Sequence, residues 1–298
     1  MTGLGNLIRR NCRLFFRDRG MFFSSLITPI ILLVLYVTFL GNVYRDSFTS
    51  ALPEGFGISD ALLNATVGGQ LISSLLAVCC VTVAFCSNLL MVQDRVSGAR
   101  RDLAVSPVRP STIAVAYFCA SALATLLISL TALAACLAYL AVEGWLLSAG
   151  DVLHILLDVV LLTLFGVALS SCVNFSLRTQ GQASAVGTIV SAGYGFLCGA
   201  YMPISNFSSG LQRVLSFLPG TYGTSLLRNH ALAGAYREMA RVGFPAEVIE
   251  GIRDSIDCNL YFFGRSVSVG GMYAVLAGST LLLVGLYVLL NAVRGQRL

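Results

Sequence analysis

The sequence predicts an all-α membrane protein of six transmembrane helices. An interfacial helix precedes the first span, and an extracellular re-entrant and helical cap lies between spans five and six. Three observations predict this. Hydrophobic residues make up 56% of the 298 positions and charged residues only 11%, with a mean hydropathy of +0.82. A soluble domain carries about 25% charge, so this chain cannot coat a water-facing surface of its size. Six windows are long and apolar enough to span a bilayer, which takes about 20 such residues. They are 22–40, 67–91, 113–142, 152–173, 182–202 and 267–292. Finally, arginine is concentrated in alternate connections, as the positive-inside rule requires.

Ahead of the first span, Leu4, Leu7, Ile8, Cys12, Phe15 and Phe16 fall on one side of a helix and Arg9, Arg10, Arg13 and Arg17 on the other. A topogenic positive cluster explains the charge; a helix lying in the membrane interface also explains the two-faced sorting. Residues 1–20 are therefore read as a cytoplasmic amphipathic helix and 21–298 as one six-span domain. The first window is too long for a signal-peptide core and has no cleavage site behind it, so it is read as retained. Pro29 within it predicts a kink.

The connection from span two to span three carries Arg95, Arg100, Arg101 and Arg109, the fourth–fifth carries Arg178, and the tail carries Arg294 and Arg297. The first–second connection has Arg45 against Asp46, Glu54 and Asp60, and the third–fourth has Glu143 and Asp151 without arginine. Every short connection places both termini in the cytoplasm, which fits a multi-pass protein of the cytoplasmic membrane. In the second–third connection Gly98 permits a sharp turn, residues 100–103 suit one or two helical turns, and Pro107 and Pro110 end them. This is either an ordinary charged hairpin or a docking knob for a cytoplasmic partner.

Span five carries a stripe of small residues, Ser184, Gly187, Thr188, Ser191, Gly195, Cys198 and Gly199, with Gly195 and Gly199 as a small-xxx-small pair for close helix packing. Span two has a weaker version that includes Ser87 and Met91, with Asn88 beside it. After span five, Pro203 and Pro219 bracket an apolar stretch too short to span but suited to re-entering the outer leaflet. Residues 222–257 mix apolar positions with charge and predict a small extracellular helical cap.

Chemistry is sparse. All 19 basic residues are arginine, which excludes a phosphate-binding loop that needs its lysine, and a lysine Schiff base. The two histidines, His154 and His230, lie far apart in sequence, so no His-rich metal site is expected, and neither accompanies a nucleophile motif. The chain reads as no enzyme, with no cofactor of its own. Most of the nine cysteines sit in apolar stretches, and no structural disulfide is expected. One acidic residue falls inside a span. Asp158 lies about 10 Å down the helix from Asp151, with His154 four residues before it and able to face it. An intramembrane carboxylate is costly and is a functional candidate by default; the plainer reading is a pair with His154 near the outer interface.

The order of these parts resembles the permease subunits of the ABC-2-type transporter family, particularly multidrug-export permeases. The residues that carry the resemblance are the arginine-rich leading helix, the Asp94-Arg95-x-x-Gly98…Ser106-Pro107 turn, the Met202-Pro203 break, and Leu218-Pro219 ahead of Tyr222 and Leu227-Arg228. The family usually has Glu-Arg-x-x-Gly-Thr at the turn; here Asp94 takes the acidic place and Ala99 replaces Thr. The resemblance implies a permease protomer that pairs with a second one and with two copies of a cytoplasmic ATP-binding subunit, which would hold ATP and Mg. It would move drugs, lipids or glycans outward, and no nucleic acid is involved. It further implies coupling through Asp94, Arg95, Gly98, Arg101 and Asp102, with Arg9, Arg13 and Arg17 of the leading helix, and a pathway touching Ser87, Asn88, Met91, Thr188, Ser191 and Gly195. An ion-coupled carrier or channel without an ATPase, and an assembly or anchoring protein, are the other classes the composition allows. Carriers of that kind often show inverted repeats or charged midplane sites; no clear repeat relates the halves here, and one buried carboxylate is present.

Overall fold

A computed structural model describes residues 2–50, 59–105 and 107–295. Glu54, Ser106 and Arg297 lie outside them. The fold is all-α, 84% helical, with one two-stranded hairpin. Helix α1 (Thr2–Arg17) leads to α2 (Arg19–Leu35), which Asp18 caps by accepting from the Met21 N–H at 3.1 Å. Pro29 is accommodated within α2, and the regular pattern breaks about two turns later, in a π-helical turn Tyr36–Leu40, before α3 (Gly41–Ser50).

Helix α4 (Asp60–Asn88) runs through a turn at Leu89 into α5 (Leu90–Val96). It is the pillar of the bundle and packs against α2, α7 (Pro110–Glu143), α8 (Ala149–Ser176), α9 (Gln180–Leu197) and α11 (Pro219–Ala231). Its apolar window is 89% buried, against 24% for α2 and 17% for α14 (Val269–Gly295), so α2 and α14 are outer helices of the bundle. Ser148 and Asp151 close a reciprocal capping box at the start of α8.

Among the described residues five helices are long and apolar enough to cross a membrane: Arg19–Asp46, Asp60–Val96, Pro110–Glu143, Ala149–Ser176 and Val269–Val293. The expected fifth span, α9, is an 18-residue helix outside that set. Its glutamines, serines and glycines dilute its hydropathy. At 1.5 Å per residue it still measures about 27 Å.

The segment after α9 departs most from expectation. Helix α10 (Ser209–Leu215) carries the exposed apolar side chains expected of the stretch between the prolines, Leu211 and Val214 among them. The helix that enters the bundle is the next one. Pro219 opens α11, and Gly220 to Asn229 are buried against α4, α8 and α14. Its small polar residues fit there because a helix satisfies its own backbone and Thr224 bonds back to Gly220. The expected cap is thus divided: its beginning, from Tyr222, is interior, while α12 (Ala233–Val242) and α13 (Ala246–Ser255) lie more exposed. A hairpin of β1 (Leu260–Phe262) and β2 (Arg265–Val267) joins α13 to α14.

Candidate functional site

Two groups of polar side chains stand out, one around the turn after α5 and one around α11. At the turn, Gly98 adopts φ +86°, a conformation only glycine reaches without strain, and α6 (Ala99–Val105) follows at once. The acidic residue of the motif faces inward. Asp94 is 5% exposed and accepts from Arg10 Nη1 at 2.6 Å, Arg10 Nη2 at 3.0 Å and the Tyr117 hydroxyl at 2.5 Å. These bonds hold the Arg10 guanidinium above its ordinary pKa. Arg95 reaches the other way: it donates to the carbonyls of Phe175 and Leu177 at the end of α8, and its guanidinium lies 5.9 Å from the Phe175 ring centroid. Arg100 donates to Asn291 of α14 at 3.2 Å.

Asp94 and Arg95 therefore tie the turn to α1, α7 and the α8–α9 link, while Arg101 and Asp102 remain exposed on α6. Arg9, Arg13 and Arg17 are exposed along α1. The opposite face of α1 is not wholly free for lipid. Phe15 is buried and the Cys12 thiol lies 3.8 Å from the Ala120 carbonyl of α7, whereas Phe16 is 40% exposed. Sequence reasoning placed Arg10 with its neighbours and did not pair it.

The small-residue stripe of α9 is split. Thr188 is exposed and Ser191 half-buried. Gly195 is covered by Tyr201, whose ring folds back so that a Cβ at Gly195 would sit 2.3 Å from it. Gly199 lies past the end of α9 at φ +74°, so the expected small-xxx-small pair does not form one helix face. Ser87, Asn88 and Met91 sit in the interior of the bundle. Ser87 pairs with Thr125 at 3.0 Å, Asn88 donates to Ser170 and Ser171 at 3.0 and 2.7 Å, and Met91 receives the Tyr287 hydroxyl at 3.3 Å. A largely apolar cavity of about 520 Å³ opens between α2, α4 and α7, lined by Phe22, Leu33, Leu75 and Leu127 among others.

The interior ionisable group is assembled across the chain. Asp158 is fully buried, but its partner is not His154. His230 of α11 donates from Nδ1 to Asp158 Oδ2 at 2.6 Å, and the Tyr273 hydroxyl of α14 donates to Oδ1 at 2.6 Å. His154 instead bonds the Gly150 carbonyl at 2.8 Å and stacks on His230, ring centroids 4.8 Å apart. The direct His154–Asp158 pair is corrected because α11 brings a closer imidazole to the carboxylate. Nearby, Arg228 is wholly buried and donates to the carbonyls of Ile256, at 2.8 Å, and Gly199, with Asp257 and Ser74 each at 3.4 Å. Neither cluster was visible locally, since each joins residues on helices distant in sequence.

This arrangement of leading helix, turn, bundle and buried α11 coincides with a family match. The family model for ABC-2 type transporters covers residues 2–231, more than three quarters of the chain. The chain belongs to the ABC-2 type transporter family. The match closes at the last residue of α11. A search of curated proteins finds no match. Family membership makes the chain a multi-pass membrane transport component of the ABC-2 type and implies an ATP-binding partner.

Proposed function

We propose that this ABC-2 permease is the membrane half of an exporter, crossing the membrane six times with both termini inside. In this reading α9 is the fifth span, α10 and α11 form the re-entrant element on the outer side, and two protomers pair with two ATP-binding subunits that hold ATP and Mg. The observation that carries the proposal is the turn after α5. Its inner residues Asp94 and Arg95 are anchored to three other parts of the bundle, while its outer residues Arg101 and Asp102 are free to meet a partner. A docking site must be both exposed and rigidly connected to transmit a load. Gly98 shapes it, and the exposed Arg9, Arg13 and Arg17 of α1 extend the same basic surface.

The cargo we infer is amphipathic: a drug, lipid or glycan carrier. Thr188 and Ser191 of α9 offer a small, neutral surface to it, next to the covered Gly195, and the apolar cavity beside α4 suits an alkyl or aryl portion. Ser87, Asn88 and Met91 meet the cargo only when α7 and α8 draw away from α4. Co-expression with its ATP-binding subunit and reconstitution in vesicles tests the proposal. ATPase activity should respond to an amphipathic cargo, and charge reversal at Arg101 and Asp102 together should uncouple it while the permease stays folded. Transport by the permease alone, driven by an ion gradient without ATP, would sink the reading and favour an ion-coupled carrier.

A further inference from the structure

The cluster around Asp158 is a closed hydrogen-bonded unit that the transport reading leaves unused. Three rings lie in a stack: His154 on His230 at 4.8 Å, and His230 on Tyr273 at 6.2 Å, interplanar angles 20° and 26°. The Asp158 carboxylate bridges the last two through bonds of 2.6 Å to each. The two polar links join three helices, α8, α11 and α14. The Asp158 side chain is 0% exposed, that of His230 is 14% exposed, and His154 is open at the rim. The imidazoles are therefore more accessible than the carboxylate.

We propose that Asp158, His230 and Tyr273 form a proton-binding site that seats α11 against α8 and α14, tightly when the proton is bound. Charge accounting gives the sign. A proton delivered from hydronium to His230 leaves water behind and makes an imidazolium beside the carboxylate, so the buried unit is neutral overall. The imidazolium also lies against the Tyr273 ring, where a cation is attracted to the π-face. Losing that proton leaves one buried negative charge held by two neutral donors, and a buried charge without a counter-charge is costly. The other groups facing the carboxylate do not supply one. Cys80 of α4 is neutral as a thiol, and on the neighbouring helices the charged Arg237 of α12 and Glu143 of α7 are held elsewhere, by Asp151 and Asn64.

The site requires only the fold, so its fate is separate from that of the exporter reading. Hydrogen exchange of the full chain in lipid nanodiscs, corrected for the intrinsic rate at each pH, reads it directly. Protection of residues 219–231 should rise by about tenfold or more from about pH 8 to about pH 5.5, one pKa unit of linkage being a factor of ten. The rise should vanish in Asp158→Asn and in His230→Gln, and should persist in His154→Gln. If both interior variants fail to fold, the wild-type profile and Tyr273→Phe still decide. The latter keeps the ion pair and should retain the rise with lower overall protection. A flat wild-type profile, or the same rise in Asp158→Asn as in wild type, overturns the proposal.

Discussion

Replacing Asp94 by alanine separates two roles that the motif leaves entangled. If the carboxylate were a direct contact for the ATP-binding subunit, its loss would leave the isolated permease as stable as before. The structure gives the opposite expectation. Asp94 accepts three bonds in a site only 5% exposed. Truncation strands the Tyr117 hydroxyl, itself 3% exposed, at about 1–3 kcal/mol. The Arg10 side chain is 31% exposed and regains water, so its share falls towards the roughly 0.2–1 kcal/mol of a surface pair. The total is about 2–3 kcal/mol, which at roughly 2 °C per kcal/mol lowers the apparent melting point by about 5 °C. Asp94→Asn keeps an acceptor for Tyr117 and should lose about half as much. The assay is thermal unfolding of the purified permease in detergent, without its partner. Tyr117→Phe combined with Asp94→Ala should cost less than the sum of the two, since both remove one interaction. An Asp94→Ala protein melting with wild type, yet failing to bind the ATP-binding subunit, would refute this reasoning.

Two further outcomes follow from packing and burial. Gly234, at the start of α12, lies so close to the α7–α8 link that a Cβ would sit 2.1 Å from the Leu146 carbonyl oxygen, so Gly234→Ala must displace backbone. It should cost about 1–3 kcal/mol and reduce the monodisperse fraction in size-exclusion chromatography. The Cys258 thiol, beneath α12 and in contact with the Tyr236 hydroxyl at 3.2 Å, is pushed up to about 11 by burial. Its raised value favours the neutral form, so the stabilisation is present below the ordinary thiol pKa and is lost as pH rises through about 11. Maleimide labelling of Cys258 should therefore stay slow at neutral pH and accelerate only in strong alkali or on unfolding, as mass spectrometry of the tryptic peptide would show.

Hydropathy and periodicity are local signals, and what they encode locally was legible. Helices α2, α4, α7, α8 and α14 sit where apolar windows stand, and the turn at Gly98 is where glycine and two prolines bracket charge. The two-faced pattern of α1 was equally plain, though the partner of its apolar face, α7, was not. Helix α11 was misassigned because its polarity argues for water. Its residues are small, however, and its charge, Arg228, is met by carbonyls from the α9 end and the α13 end, which no window contains. Asp158 shows the same limit. His154 is the partner that helical spacing offers, and His230, 72 positions away, is the partner that the fold supplies.

The placement of Asp94 and Arg95 also bears on how force would travel through this bundle. Adjacent on α5, they engage opposite sides, one fixed to α1 and α7 and the other to the end of α8 just before α9 begins. A displacement of α6 cannot be absorbed by a loose loop. It must move α1, the inner end of α7 and the α8–α9 link together, or else break charge-assisted bonds. Helix α4 follows because α5 continues it through a single turn at Leu89. Helix α2 is the least constrained of the early helices. Little of its apolar window is buried, and its π turn gives it a point of compliance beside the Tyr36–Ala200 contact. Motion imposed at the turn is thus transmitted stiffly along α4 and relieved at α2, so separation should begin along the apolar cavity between those two helices.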